Sequence, residues 1–597
     1  MAMWWMKRTP KRKSCQASNK PQHRRFVPRL ESLEDRAVPA VFTVTTALDV
    51  VNPADGKLSL REAVSAANAN PGADTIVLPA GVYRLALRGS DNNNAAGDLD
   101  VTGSTLFRGA GAGLTVIDGQ QLDRVFDVRG TAPHSIKVTF QGLTVRNGLA
   151  DGGGGGGIRV GDADLVVQNC TVTGNRTSGN GGGISDASMP GTANVTLIGS
   201  TIDRNIAREG GGLWVQANSQ NQGSVLNISG STIRRNIARD GGGILASWAN
   251  LTGSTVSGNR ATVGDGGGLS VTRATLTNCT VSGNSAAVVG GGIDADTVIL
   301  MGGTVSGNAI NSTASGNAFT AGGGISANRA TLTNCTVSGN SAASGGGISA
   351  NVATLSNSTV SGNTATTSAG GGIAANVATL TNSTLSGNTA GSDGGGLRAV
   401  TATLTNCTVS GNSAANGGGV LGFGTATLTN CTVSGNHAAD QGGGILAFAM
   451  TLVNDTVTDN DAHTGGGVFH FNAGTATVRN SIIAGNLVDL DGVGPDVFGA
   501  FTSDGHNLIG DGTGSTGFTN GANGDMVGTS THRIDPKLAP LAKNGGPTLT
   551  RALLAGSPAI DHGDNAGAPA ADQRGVARPR DGDGDGSRVA DIGAFER

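Results

Sequence analysis

The sequence predicts an all-β protein: a single-stranded, right-handed parallel β-helix with three short strands per coil and a cap at each end. Three observations lead there. First, an asparagine recurs through Asn147, Asn175, Asn205, Asn236, Asn259, Asn284, Asn308, Asn340, Asn363, Asn388, Asn412, Asn436, Asn460 and Asn486, and a period in the twenties marks a solenoid. Second, each unit carries three consecutive glycines followed by an aliphatic residue, with no 3.6-residue apolar stripe, so helical repeats are excluded. Third, 101 of 597 residues are glycine and only 3% are aromatic. That composition suits a stack in which each coil buries its aliphatics against its neighbours alone.

The unit Gly345 to Asn363, GGGISANVATLSNSTVSGN, places Ile348, Val352, Leu355 and Val360 in short period-two runs. Steps of 23, 25, 24 and 24 residues lead from Asn340 to Asn436. A strand of four or five residues spans about 15 Å, so such a coil can close and stack. Ile184, Leu213, Ile244, Leu269, Ile293, Ile325, Ile348, Ile373, Leu397, Val420, Ile445 and Val468, one after each triple glycine, are the expected inward column. The Gly-Asn step is expected either to hold positive φ or to let each Asn amide bond its copy in the next coil. The triple glycine marks a corner of close backbone approach. Longer steps of 30, 31 and 32 residues carry polar inserts at 217–224 and 309–320, expected as loops on one side. The right hand is the usual sense of a strand crossover.

Charge divides the chain. Residues 1–39 hold ten Lys/Arg against three acids, leaving 30 against 40 in the remainder. An acidic body without a basic stripe excludes nucleic acid as a partner. Cys170, Cys279, Cys335, Cys407 and Cys431 share one repeat position, filled by Ser358, Ser383 and Ser481 elsewhere, and read as small fillers. Cys407 and Cys431 fall in adjacent coils, but parallel Cβ vectors disfavour a bridge. No segment is long and apolar enough to span a bilayer.

The organisation expected is a basic leader over 1–40, an N-terminal cap over 41–105, coils over 106–490 and a C-terminal domain over 491–597. In the cap, Leu60, Ala63, Val64 and Ala67 fall on one face of a helix able to cover the first coil. Ser59, Leu60, Arg61, Glu62 and Ala63, with TIVLPAGVYRL after them, resemble the CSLREA region that precedes β-helices in secreted bacterial proteins; Leu58 stands at that family's cysteine. LESLEDRAVPA resembles a leader signature of large secreted proteins. GGPTLT, GSPAID, DQRG and DIGAFE resemble the C-terminal region of choice-of-anchor Q proteins. These resemblances imply a right-handed β-helix that is secreted or displayed at the cell surface.

Chemistry has few candidates. Asp581, Asp583, Asp585 and Ser587, with Asp591, alternate oxygen donors with glycine as a calcium loop would; Ile592 stands where an EF-hand needs Glu. A calcium ladder on the coils fails because no aspartate follows the glycines. β-Helices also carry polysaccharide lyases and glycosidases, which need paired carboxylates or a carboxylate with a basic partner. Asp203, Arg204, Arg208 and Glu209 over Arg234, Arg235, Arg239 and Asp240, with Trp214 and Trp248 as sugar platforms, meet that need loosely. So do His437, Asp440, Asp455, Asp459, Asp461, His463 and His470. Both also read as salt-bridged solvent faces. The expected function is structural or adhesive binding of an extracellular polysaccharide or a surface or matrix component, without intrinsic catalysis. The rival reading is a carbohydrate-active enzyme, a lyase or glycoside hydrolase.

Overall fold

A computed structural model describes residues 38–186, 193–216, 224–311, 322–471 and 474–597. The basic leader and most of the two polar inserts therefore lie outside the described residues. The chain winds as a right-handed parallel β-helix of about 15 turns, which at about 4.8 Å per turn makes a rod of roughly 70 Å.

One coil shows how the repeat folds. After Gly345–Gly347 the chain runs extended through Ile348–Ser356, bending at Asn351 into a first and a second strand. It turns at Asn357, whose φ of 48° is left-handed, and makes a third strand, Thr359–Ser361. A second turn through Gly362 and Asn363 leads to a two-residue fourth strand, Thr364–Ala365. The fourth strands form a narrow ladder of their own beside the three faces anticipated from the repeat. Pairing is parallel and in register: Ile325, Ile348, Ile373 and Leu397 are partners, as are Leu332, Leu355, Leu380 and Leu404. A one-residue slip would turn every aliphatic outward; instead the predicted column from Ile184 to Val468 is wholly buried.

Both expectations for the Gly-Asn step hold. Gly362 has φ of 60°, and Asn363 is buried with its amide nitrogen donating to Asn388 Oδ1 at 2.9 Å and to Val337 O at 3.0 Å. Its own Oδ1 accepts from the Asn340 backbone and side-chain amides. The same bonds recur up the solenoid until Asp496 Oδ1 closes the ladder under Asn486. This asparagine also explains the glycine corner. A Cβ on Gly347 would stand 2.5 Å from Gly372 O and 3.0 Å from the Asn363 amide, so no side chain fits.

A second ladder runs through the Cys/Ser position. The Cys335 amide donates to Ser358 Oγ, Ser358 to Ser383 Oγ, Cys407 to Cys431 Sγ, and Cys431 to Asp455 Oδ1. The position is thus an acceptor for the preceding coil and not only a filler. All five described cysteines are free thiols.

The N-terminal end is closed by the helix Leu60–Ala69, started by a Ser59–Glu62 capping box. Leu60, Ala63, Val64 and Ala67 are buried as its periodicity predicts. Arg61 is buried too, held by Asp49 at 2.7 Å and by the Gly97 and Asp98 carbonyls. Strand pairing begins within the cap, Val41–Thr43 with Thr75–Val77, and Asp74–Leu78 with Thr105–Gly109. At the other end it continues past residue 490 to Met526–Val527.

From about residue 535 the chain folds back along the rod and covers the third-strand face. Thr548 Oγ1 donates to Asn406 O, Thr432 Oγ1 to Gln573 Oε1, and the Ala594 amide to Thr456 Oγ1. Thr408, Thr432 and Thr456 are buried there, whereas Thr359 and Thr384, at the same position in uncovered coils, are half-exposed.

Candidate functional site

The residue after each inward aliphatic faces outward, and so does the residue two further on. These two columns line a channel that runs along the rod. In its central stretch the floor is Asp294, Ser326, Ser349, Ala374 and Arg398, paired rung on rung. One wall is Asp296, Asn328, Asn351 and Asn376; Ser344, Ser368 and Ser392 form the other, and the enclosed volume is about 690 Å³. The exposed asparagines point one way: Asn328 Nδ2 donates to Asp296 Oδ1 at 3.2 Å, Asn351 to Asn328 at 3.2 Å, and Asn376 to Asn351 at 2.8 Å. Toward the C-terminal end the floor becomes Leu421, Leu446 and Phe469, and the wall becomes Phe423, Phe448 and Phe471. The Phe448 and Phe471 rings stack at 4.6 Å and the Arg398 guanidinium lies 4.7 Å from the Phe423 ring.

Followed the other way, the floor passes Ser270, Leu245, Trp214, Ser185 and Arg159 to Asp127 and Asp100. Here the corner lacks its triple glycine. Asp98 precedes Leu99, and Asp123-Arg124 precedes Val125-Phe126, where the coils from Ile158 to Val468 have glycine. The result is a cavity of about 770 Å³ lined by Asp98, Asp123, Arg124 and Arg129 among others. Arg124 Nε lies 2.6 Å from Asp98 Oδ2. Arg129 bridges Asp100 and Asp127, and Arg159 also holds Asp127.

Burial, reinforced by Asp123, Asp127 and Asp100 against the pull of Arg124, pushes the Asp98 carboxyl up to about 7. Burial, with Asp265 nearby, takes Asp294 to about 6, and burial takes Asp496 to about 6 against its hydrogen bonds. All three bind protons more tightly folded than unfolded, where a carboxyl titrates near roughly 4. The stability they contribute is complete below that value and is lost as pH rises through about 6 to 7. Thermal midpoints are therefore expected to fall between pH 5 and pH 8, with the slope flattened in an Asp98→Asn, Asp294→Asn, Asp496→Asn triple variant. A midpoint that climbs across this window would contradict the assignment.

The residues singled out from sequence distribute differently. Asp203 sits on a third strand and meets Arg235 at 3.0 Å, Arg204 at 3.2 Å and Arg234 at 3.3 Å. Glu209 lies one corner further on, paired with Arg208 at 3.5 Å and bridged in register to Asp240, with Arg239 beside it in the chain. The fourth strand separates the two groups. Trp214 is half-buried on the channel floor, opposite Leu245, while Trp248 lies on the second-strand face opposite Val225; the register does not stack them. His437 pairs with Asp461 and His463 with Asp489 on an exposed face, Asp459 is held by Arg551, and His470 is buried between the Ala500 and Phe448 carbonyls. Asp455 is buried in the Cys/Ser ladder, and Asp440 is exposed beside His437 in its strand.

In the C-terminal loop, oxygen atoms of Asp561, Asp581 and Asp583 lie within 4.8 Å of one another. Asp561 was not suggested by the motif. Asp585 and Ser587 bond each other outside this group, and Asp591 turns inward to accept from the Asp561 and Arg597 amides. Three carboxylates suit a hard cation, yet all three already accept backbone amides: Asp561 from Gly582 and Asp583, Asp581 from Gly584 and Gly586, and Asp583 from Asp585.

Fold and channel together define a right-handed parallel β-helix with a lengthwise surface groove. The family described as the right handed beta helix region matches residues 90–286. No curated protein matches the chain. Among solved structures it is similar to the Azotobacter vinelandii mannuronan C-5 epimerase AlgE6 A-module, at 14% identity over 73% of this chain and 99% of that one, with a TM-score of 0.25. It is also similar to pectate lyase Pel9A, at 12% identity over 94% and 96%, with a TM-score of 0.16. Neither likeness transfers an activity to this chain. Among the described residues no helix is long and apolar enough to cross a membrane.

Proposed function

We propose that the protein is a secreted or cell-surface β-helix that holds an extracellular polysaccharide chain lengthwise in this groove, in a structural or adhesive role. What supports the reading is the match of repeats: in the central stretch Asn328, Asn351 and Asn376 offer one wall amide per coil beside the small floor residues Ser326, Ser349 and Ala374, and coils recur about every 4.8 Å, on the scale of one sugar unit. Each rung contributes weakly, and linked rungs bind together far more tightly than any one. Small floor residues such as Ser326, Ser349 and Ala374 leave room for a ring. The phenylalanine ladder serves differently. Its rings stack on one another at interplanar angles of 20° to 28°, so each face is covered by its neighbour and the ladder bounds the polar channel as an apolar ridge.

Affinity electrophoresis of the full chain in gels containing homogalacturonan, alginate, xylan or β-glucan tests this. Retardation by at least one is expected. Ser349→Trp fills the floor without touching the core and is expected to lose at least tenfold in affinity. Wild-type retardation of that variant, or no retardation in any gel, would overturn the reading.

A further inference from the structure

Three long sides of the rod are accounted for. One carries the groove, one is covered from Asn406 onward by the folded-back tail, and the fourth-strand ladder bears charge such as Arg260, His437 and Asp461. The second-strand face differs from all of them. Its outward residues stand in three columns, paired in register from coil to coil; Val377, Thr379 and Thr381, for example, lie against Thr401, Thr403 and Thr405. Between the Thr196 and Thr451 rungs, the described residues of these columns include no carboxylate and two charged side chains, Arg273 and Arg329. The body of the chain is acidic, so a side this long without an acid stands apart. Ile198, Trp248, Met301 and Val377 are exposed on it.

Size decides what such a face can hold. Strand rise and coil spacing make it roughly 50 Å by 15 Å, about 750 Å², and a standard specific interface takes about 800 Å² from each partner. In-register pairing keeps the face regular, as packing of one sheet on another at about 10 Å requires. On this side two copies meet without opposing carboxylates.

We propose that the second-strand face is the interface between two copies of this chain, packed face to face with their rods parallel. A two-fold axis along the rod sets each rung against the same rung and the first column against the third. Arg273 of one copy then faces Thr277 of the other, and Arg329 faces Thr333, at the rim, where both guanidinium groups stay wet. The middle threonines, Thr354, Thr379, Thr403 and Thr427, meet their own copies on the axis. Antiparallel rods centred on the face would instead meet at the Arg329 rung and set Arg329 against Arg329, like charge on like. The inference does not rest on the groove reading; both grooves lie on another side and stay open.

Sedimentation velocity of the full chain is expected to show a dimer down to about micromolar concentrations. Thr379→Asp, Thr403→Asp and Thr427→Asp together put like charges on the axis and are expected to weaken the dimer at least about a hundredfold. The same three changed to Val keep strand propensity and an uncharged face, so that variant is expected to stay dimeric. Orientation is read separately, with Thr403→Cys in a Cys15→Ser background. Parallel rods bring the two introduced thiols within reach of a short bismaleimide and give a covalent dimer linked 403 to 403, whereas antiparallel rods centred on the face place residue 403 against Asn250 and give no such link. A monomer throughout that concentration range, a dimer unmoved by the three aspartates, or absence of the 403-to-403 link overturns the proposal.

Discussion

Asn363→Ala is expected to cost about 3 kcal/mol or more, because the Asn340 backbone amide and Val337 O lose the partner that Asn363 gives them, while the Asn340 side-chain amide and Asn388 Oδ1 each drop one bond and keep only Val305 O and the residue-363 backbone amide. An unsatisfied buried polar group costs about 1–3 kcal/mol, and no water can enter, since Asn363 and both neighbours in the ladder are at most 1% exposed. Because a solenoid couples mainly nearest neighbours, the damage is expected to be local. Hydrogen exchange should accelerate in the coils between Asn340 and Asn388 before the ends open. Asn351→Ala is the control. Its amide belongs to an exposed ladder with water on one side, and its effect is expected to stay within about 0.5 kcal/mol. Equal effects from the two variants would mean that the buried ladder does not hold the coils together.

These two asparagines also show what could be read from the chain and what could not. Anything repeated in every coil was legible: the column after the triple glycine, the Gly-Asn turn and the glycine corner follow from one unit and are multiplied by stacking. The helix at Leu60–Ala69 was legible from its apolar face, but burial of Arg61 was not, since its partners Asp49, Gly97 and Asp98 lie far along the sequence. The cluster around Asp203 and Glu209 looked continuous because its members are close in sequence; a corner and a strand intervene, and no period marks where a corner falls within a charged run. The opposite error hid the Asp98 cavity. Its signal is an absence, the incomplete glycine triplet before Leu99 and the missing one before Phe126, and it emerges only when the register is traced back from Ile158 through Phe126 to Leu99. The fold-back of the last residues has no periodic trace at all, because its contacts to Asn406, Thr432 and Thr456 are made by single residues of an irregular chain.

That fold-back should depend on one buried pair. Arg578 Nε lies 3.0 Å from Glu596 Oε2, and both side chains are 1% exposed. The guanidinium also donates to Asn430 Oδ1 at 2.9 Å and to Gly593 O at 2.6 Å, so it ties the tail both to itself and to the solenoid. Removing one partner of a buried pair typically costs about 3–5 kcal/mol because the other charge stays behind without compensation. Arg578→Met is therefore expected to release the tail, raising hydrogen exchange both in residues 563–597 and in the third strands it covers, Thr408–Ser410, Thr432–Ser434 and Thr456–Thr458. Burial already holds the Glu596 carboxyl above its ordinary value with Arg578 in place; without the arginine it moves higher, so protonation at low pH removes the stranded charge. The variant's tail should accordingly be looser at pH 8 than at pH 5. Adding Glu596→Gln should restore part of the protection at pH 8, since it removes the stranded charge and its single amide oxygen can still accept from one of the Arg580 and Asp591 amides that the two carboxylate oxygens of Glu596 now satisfy, while its NH2 cannot serve the other. Wild-type protection in Arg578→Met at pH 8, or a double variant looser than the single one, would show that the tail is held by its many backbone contacts and not by this pair.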